Sequence, residues 1–251
     1  MTEYRTWTVW DAGIRWFHWI NVLCVLGLAG LGLAILNSKT LGVGTEGKIL
    51  LKTVHVWIGY VFALNLAWRL LQAFTGGPHA RWRAILPGGS GYLAEVGRYV
   101  AALRSGQPRQ YLGHNPLGRL SVSFILLLLV AQAITGLVLA GTDLFYPPLG
   151  SWIAGQVAAP GIDPATLVPY APQMYDEEAW QAMRAFREPF ITVHYYGFYT
   201  LLAMVLLHII AVVLTELREG GGLVSAMITG RKVLDQAPSD LDSAAEERGR
   251  D

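Results

Sequence analysis

The sequence predicts an all-α integral membrane protein: four transmembrane helices in a bundle, N-in and C-in, with a long periplasmic loop between helices three and four. Three observations predict it. Of 251 residues, 53% are hydrophobic and 15% charged, and the mean hydropathy is +0.38. Four apolar runs reach the roughly 20 residues that a helix needs to cross a bilayer. The formal net charge is only +1, yet the basic residues are shared unevenly among the connecting loops.

The first run covers about 16–36. Its apolar core outlasts a signal-peptide h-region and no A-x-A cleavage pattern follows, so it reads as a retained helix. The second covers 53–74, and the stretch after it carries Arg81, Arg83, Arg98, Arg104, Arg109 and Arg119 against one acid, Glu95. The third covers 120–141 and the fourth 190–215. Between those two the balance reverses, with Asp143, Asp163, Asp176, Glu177, Glu178 and Glu188 against Arg184 and Arg187. Arg5 and Arg15 precede the first helix, and Arg218, Arg231 and Lys232 follow the last. The positive-inside rule then places both termini and the arginine-rich stretch in the cytoplasm. Lys39, Lys48 and Lys52 oppose this assignment.

The loop between helices three and four runs to roughly fifty residues, far beyond the usual helix–helix turn. Its "YPPLGSW", "APGIDP" and "VPYAP" interrupt regular structure. Short helices are expected around 150–157 and 176–187, the latter opened by Asp176-Glu177-Glu178. Such a loop is either a docking surface or a lid over the bundle end. Residues 1–235 read as a single membrane domain and 236–251 as a polar, disordered tail. No basic stripe with interleaved aromatics suggests a nucleic-acid partner. The single cysteine, Cys24, excludes an intrachain disulfide, a four-cysteine cluster and a C-x-x-C-H haem attachment.

Histidine carries the chemistry. Four of six histidines fall within or at the ends of the spans: His18, His55, His194 and His208. His194 and His208 are fourteen residues apart in "HYYGFYTLLAMVLLH". Fourteen residues of helix return to within roughly 40° of the same direction after a rise of roughly 21 Å, so both rings share a face. With helices alternating in direction, His55 pairs by depth with His194 and His18 with His208. Each pair is suited to clamp one haem iron through imidazole nitrogens. A proton or metal pathway and a structural network are the alternatives.

Arg69 lies inside the second span, fourteen residues after His55, and Arg15 lies one turn before His18. Either guanidinium suits a haem propionate, or snorkels to the interface. His114 and Asn115, in "GHNPLGRLS", either meet a quinone near the interface or form an Asn-Pro turn that starts the third helix.

"RWFHW", "HVWIGY", "GHNPLGRLS", "TGLVL", "HYYGFY…LLH" and "ELREGGGLVSAMITGRK" resemble the cytochrome b subunits of membrane-bound nickel–iron hydrogenases along nearly the whole chain. These are related to the cytochrome b subunits of formate dehydrogenase and to small di-haem cytochromes b. The resemblance implies two b haems with His18, His55, His194 and His208 as axial ligands. It also implies a quinone acceptor beside the inner haem, near His114 and Asn115, and a bacterial inner-membrane location. The implied partner is a periplasmic redox subunit, the hydrogenase small and large subunits; another dehydrogenase or a multihaem cytochrome c fits the same loop. Such a subunit conducts electrons without a catalytic core of its own. A stand-alone quinol-dependent oxidoreductase is the rival reading, and pairing of two copies within a larger complex is left open.

Overall fold

The computed structural model describes residues 4–107 and 109–241. In chain order its strands and α-helices are β1 (Arg5–Thr8), α1 (Ala12–Leu36), α2 (Thr45–Thr75), α3 (Trp82–Ile85), α4 (Tyr92–Arg104), α5 (Pro116–Leu144), α6 (Gly150–Val157), α7 (Glu177–Glu219), α8 (Leu223–Thr229) and β2 (Arg231–Leu234). Helices α1, α2, α5 and α7 are long and apolar enough to cross a membrane, and no more than 17% of the apolar window of any of them is buried. Leu23, Leu26, Leu64 and Leu127 project outward. Water would reject that surface, whereas hydrocarbon accepts it and a helix satisfies its own backbone there. The expected all-α, four-helix membrane architecture is the one observed.

The helices outrun the apolar runs, because polar first turns such as Thr45-Glu46-Gly47-Lys48 are helical without being lipid-soluble. The largest difference is at α7. The helix expected over 176–187 and the span from 190 are one continuous 43-residue helix through Pro189. Proline removes one backbone donor and costs about 3 kcal/mol in a helix interior. Contacts on both sides of it hold the helix: Asp176 caps the start by accepting from Ala179 N at 2.9 Å, and Gln132 donates to the His194 carbonyl at 3.0 Å.

The chain divides into two compact units. Unit 2 comprises residues 20–66 and 128–200. In it the long loop is ordered: α6 packs Ile153 and Val157 against Tyr175 and Met183, and Tyr175 stacks on Trp180 with ring centres 4.3 Å apart. Asp176 N donates to the Val157 carbonyl at 2.9 Å, which seats the start of α7 on the end of α6.

Unit 1 comprises residues 1–19, 67–127 and 201–251. Here β1 and β2 pair antiparallel, Arg5 opposite Leu234 and Thr8 opposite Arg231. Val9, Trp10, Ile14, Ala80, Leu112, Ala226 and Leu234 form the core beneath them. The start of the expected disordered tail is hydrogen-bonded: Gln236 N donates to Gln110 Oε1, Ser239 N to the Gln110 carbonyl, and Asp240 accepts from Leu112 N and Gly113 N at 2.7 and 2.8 Å. The rest of that tail, from residue 242, lies outside the described residues.

Candidate functional site

In unit 2, α2 presents His55 and α7 presents His194 to one another, with ring centres 6.4 Å apart and planes at 69°. Both are bracketed by glycine: a Cβ on Gly32 of α1 would lie 3.7 Å from His55 Cε1, and one on Gly136 of α5 would lie 3.4 Å from His194 Cε1. A Cβ at either position would be in ordinary van der Waals contact with the ring. Thr135 Oγ1 lies 2.9 Å from His194 Nδ1 and donates its own hydrogen to the Ala131 carbonyl at 2.7 Å. With its one hydrogen on the Ala131 carbonyl, Thr135 can accept from a His194 that carries its proton on Nδ1. That tautomer leaves the His194 lone pair on Nε2, where it can ligate a metal.

Two imidazoles bound across one iron, with metal–nitrogen bonds of about 2 Å, would have ring centres about 6 Å apart. The 6.4 Å separation fits that clamp. Among the described residues no three His, Cys, Asp or Glu side chains converge to hold a metal ion. A pair suits haem, whose macrocycle supplies the other four nitrogens.

Unit 1 contains the second pair. His18 of α1 and His208 of α7 are near enough to interact electrostatically. The His18 ring meets Trp19 edge-on at 5.2 Å. His18 Nδ1, His55 Nδ1 and His114 Nδ1 are each buried without a hydrogen-bond partner. Buried ring nitrogens without a partner are uncommon in folded proteins.

His114 is half-buried, its ring 5.0 Å from that of Trp10. Burial and the neighbouring cations Lys232 and Arg69 push it down to about 3, so it is neutral at physiological pH. It lines a cavity of about 340 Å³ together with His79, Arg83, Glu95, Tyr111 and Arg119. Asn115 caps α5: its Oδ1 accepts from Gly118 N at 2.7 Å and its Nδ2 donates to Tyr99 Oη at 2.7 Å. Both ends of its amide are thus committed to structure, as the Asn-Pro turn reading requires.

The two arginines differ. Arg69 is buried, donates from Nη1 to the Ala80 carbonyl at 3.1 Å and lies over the Phe17 ring, so it does not snorkel. Arg15 donates to the carbonyls of Asp11 and Ile228, the latter at the end of α8. Each keeps further donors, since a guanidinium has five. Lys232, counted in the sequence only for its charge after the last span, is buried in β2 and donates to the Tyr111 and Gly113 carbonyls at 3.0 and 3.1 Å. Burial lowers its ammonium to about 8. Thr135, Lys232 and Asp240 escaped sequence reasoning; only Thr135 had a signal, as the first residue of "TGLVL".

Residues 9–230 match the family model of prokaryotic cytochrome b561. The chain belongs to that family. Membership implies haem b and electron transfer in a membrane, and with four apolar helices it makes the chain a multi-pass membrane cytochrome b. This cytochrome is 28% identical over 240 residues to the "Probable Ni/Fe-hydrogenase B-type cytochrome subunit" of Rhizobium leguminosarum bv. viciae, covering 90% of this chain and 88% of the relative. The protein of the same name from Cupriavidus necator is 26% identical, with 88% and 85% covered. An Escherichia coli K12 relative, "Probable Ni/Fe-hydrogenase 1 B-type cytochrome subunit", is 28% identical over 141 residues, covering 52% of this chain and 59% of the relative. No solved structure gives a significant match. The resemblance to hydrogenase cytochrome b subunits read from the motifs is therefore borne out.

Proposed function

We propose that this cytochrome is the di-haem membrane anchor of a hydrogenase-type complex, passing electrons from a periplasmic redox partner to quinone in the bacterial inner membrane. The observation that carries the reading is the His55–His194 pair, spaced for one iron and with Thr135 Oγ1 2.9 Å from His194 Nδ1. His55 and His194 hold one haem, His18 and His208 the other. A haem between two imidazoles carries single electrons and leaves no open position for substrate. The names of the relatives support hydrogenase catalytic subunits as the partner.

Quinone is reduced beside His114, in or next to the cavity it lines. Because His114 is neutral there, it meets the quinone as a hydrogen-bonding imidazole, and the protons come from other groups. Asn115 orients the loop that carries His114. The N-in, C-in orientation places that loop in the cytoplasm and residues 145–176 outside. Lys39, Lys48 and Lys52 count against it by the same rule, and the six arginines from Arg81 to Arg119 outweigh them.

A pyridine haemochrome titration of the purified chain tests the reading. About two non-covalent b haems per chain are expected; one haem or none overturns it. Proteoliposomes carrying the complex should build a membrane potential while a periplasmic donor reduces quinone. Quinone turnover by the isolated chain with no donor subunit would favour the stand-alone oxidoreductase instead.

A further inference from the structure

Half-buried in unit 2, apart from the imidazoles, is a group of three charges. The Asp143 carboxylate bridges two cations, accepting from Lys52 Nζ through Oδ2 and pairing through Oδ1 with Arg187 Nη2 at 2.7 Å. The three side chains are only 16–22% exposed. Two cations against one carboxylate leave a positive charge over, and a surplus charge withdrawn from water needs a counter-charge. Arg187 Nε is itself buried and has no hydrogen-bond partner. A guanidinium donor in that state lacks an acceptor.

The cations stand beside the His55–His194 pair. Lys52 precedes His55 by three residues and Arg187 precedes His194 by seven, about one and two turns along the same helix faces. Asp143 follows Gly136 by seven residues. The register that sets Gly136 against His194 thus also sets Asp143 against Arg187, two turns further along both helices. A haem is an apolar disc with two carboxylates on one edge. That edge is the part of it that a cationic site beside the histidines would recognise.

We propose that Arg187 and Lys52, braced by Asp143, form the carboxylate-binding site for a propionate of the haem held by His55 and His194. The proposal rests on the haem reading above. Asp143 is a positioning residue: it fixes both cations and leaves one charge for the ligand. Arg15 and Arg69, the guanidiniums that sequence offered for a propionate of the haem between His18 and His208, belong to unit 1.

The test uses the full-length His208→Ala protein, in which the His55/His194 site is the one left with both imidazoles. It is prepared free of haem and titrated with haemin and with haemin dimethyl ester, which lacks the propionate charges. Low-spin bis-imidazole absorption reports binding. Esterification should weaken binding about tenfold in this background. The penalty should vanish when Arg187→Gln is added and return at least in part with Arg187→Lys. If Arg187→Gln does not fold, Lys52→Gln carries the same comparison. An ester penalty unchanged by these substitutions overturns the propionate site and leaves the haem reading intact. A folded His208→Ala protein that binds neither compound, although the wild-type chain folds equally well, overturns the haem reading itself and this proposal with it.

Discussion

In unit 2 the facing imidazoles and the groups that dress them stand on helices: His55 on α2, Thr135 and Gly136 on α5, His194 on α7. In unit 1, by contrast, His114 sits on a loop whose preceding residues are gripped by Lys232 from β2 and Asp240 from the C-terminal segment. Helix faces fix side chains to within the small play of a packed rotamer, which suits a permanently clamped cofactor. A loop held by a few backbone hydrogen bonds opens more readily, which suits a site that must admit and release a substrate.

The largest expected effect would break the pairing on which that contrast depends. His55→Ala or His194→Ala should remove one haem, and His18→Ala or His208→Ala the other, each reducing the haemochrome stoichiometry by half. If His55→Ala and His208→Ala instead removed the same haem, the division of ligands between the units would be wrong. A smaller effect follows in unit 1. Asp240→Ala removes both acceptors of the Leu112 and Gly113 amides, at a cost of about 1–3 kcal/mol. Amide exchange should quicken at those two residues and stay unchanged at Ala179 in unit 2; equal change at both would show that the loop is not held separately.

Acid sharpens the same contrast. An unfolded histidine titrates near about 6.5, whereas His114 in the folded chain titrates at about 3. Between those values the unfolded chain binds a proton that the folded chain refuses. The stability linked to His114 is therefore full above about 6.5 and is lost as pH falls toward about 3. Thermal unfolding followed from pH 7 to pH 4 should show this slope, and His114→Gln should flatten it. The smallest effect is at Thr135→Val, which keeps the shape but removes the hydroxyl that meets His194 Nδ1. Haem retention at that site should weaken by about tenfold while haem held by His18 and His208 is unaffected.

Much of the fold was legible in sequence because membrane spans are local. Runs of about twenty apolar residues declare themselves without reference to any partner, and α6 was visible between its prolines. The β1–β2 pair was not legible, since two four-residue strands at opposite ends of the chain carry too little periodicity to be noticed alone. Continuity through Pro189 was also hidden, because local propensity argues for a break and tertiary contacts on either side prevent it. The burial of Lys232 was hidden as well, because nothing nearby in sequence reveals the Tyr111 and Gly113 carbonyls that receive it.

The sequence by itself determined how many helices cross the membrane, which of them carry imidazoles, and that His194 and His208 share one helix face. Those properties depend on composition and on a period of 3.6 residues, both of which are written locally. Only the tertiary structure decided that His55 and His194 face each other at 6.4 Å, that Thr135 meets His194 Nδ1, and that Asp143 binds two cations and leaves one charge over. Those are meetings between residues tens to more than a hundred positions apart, and packing brings them together.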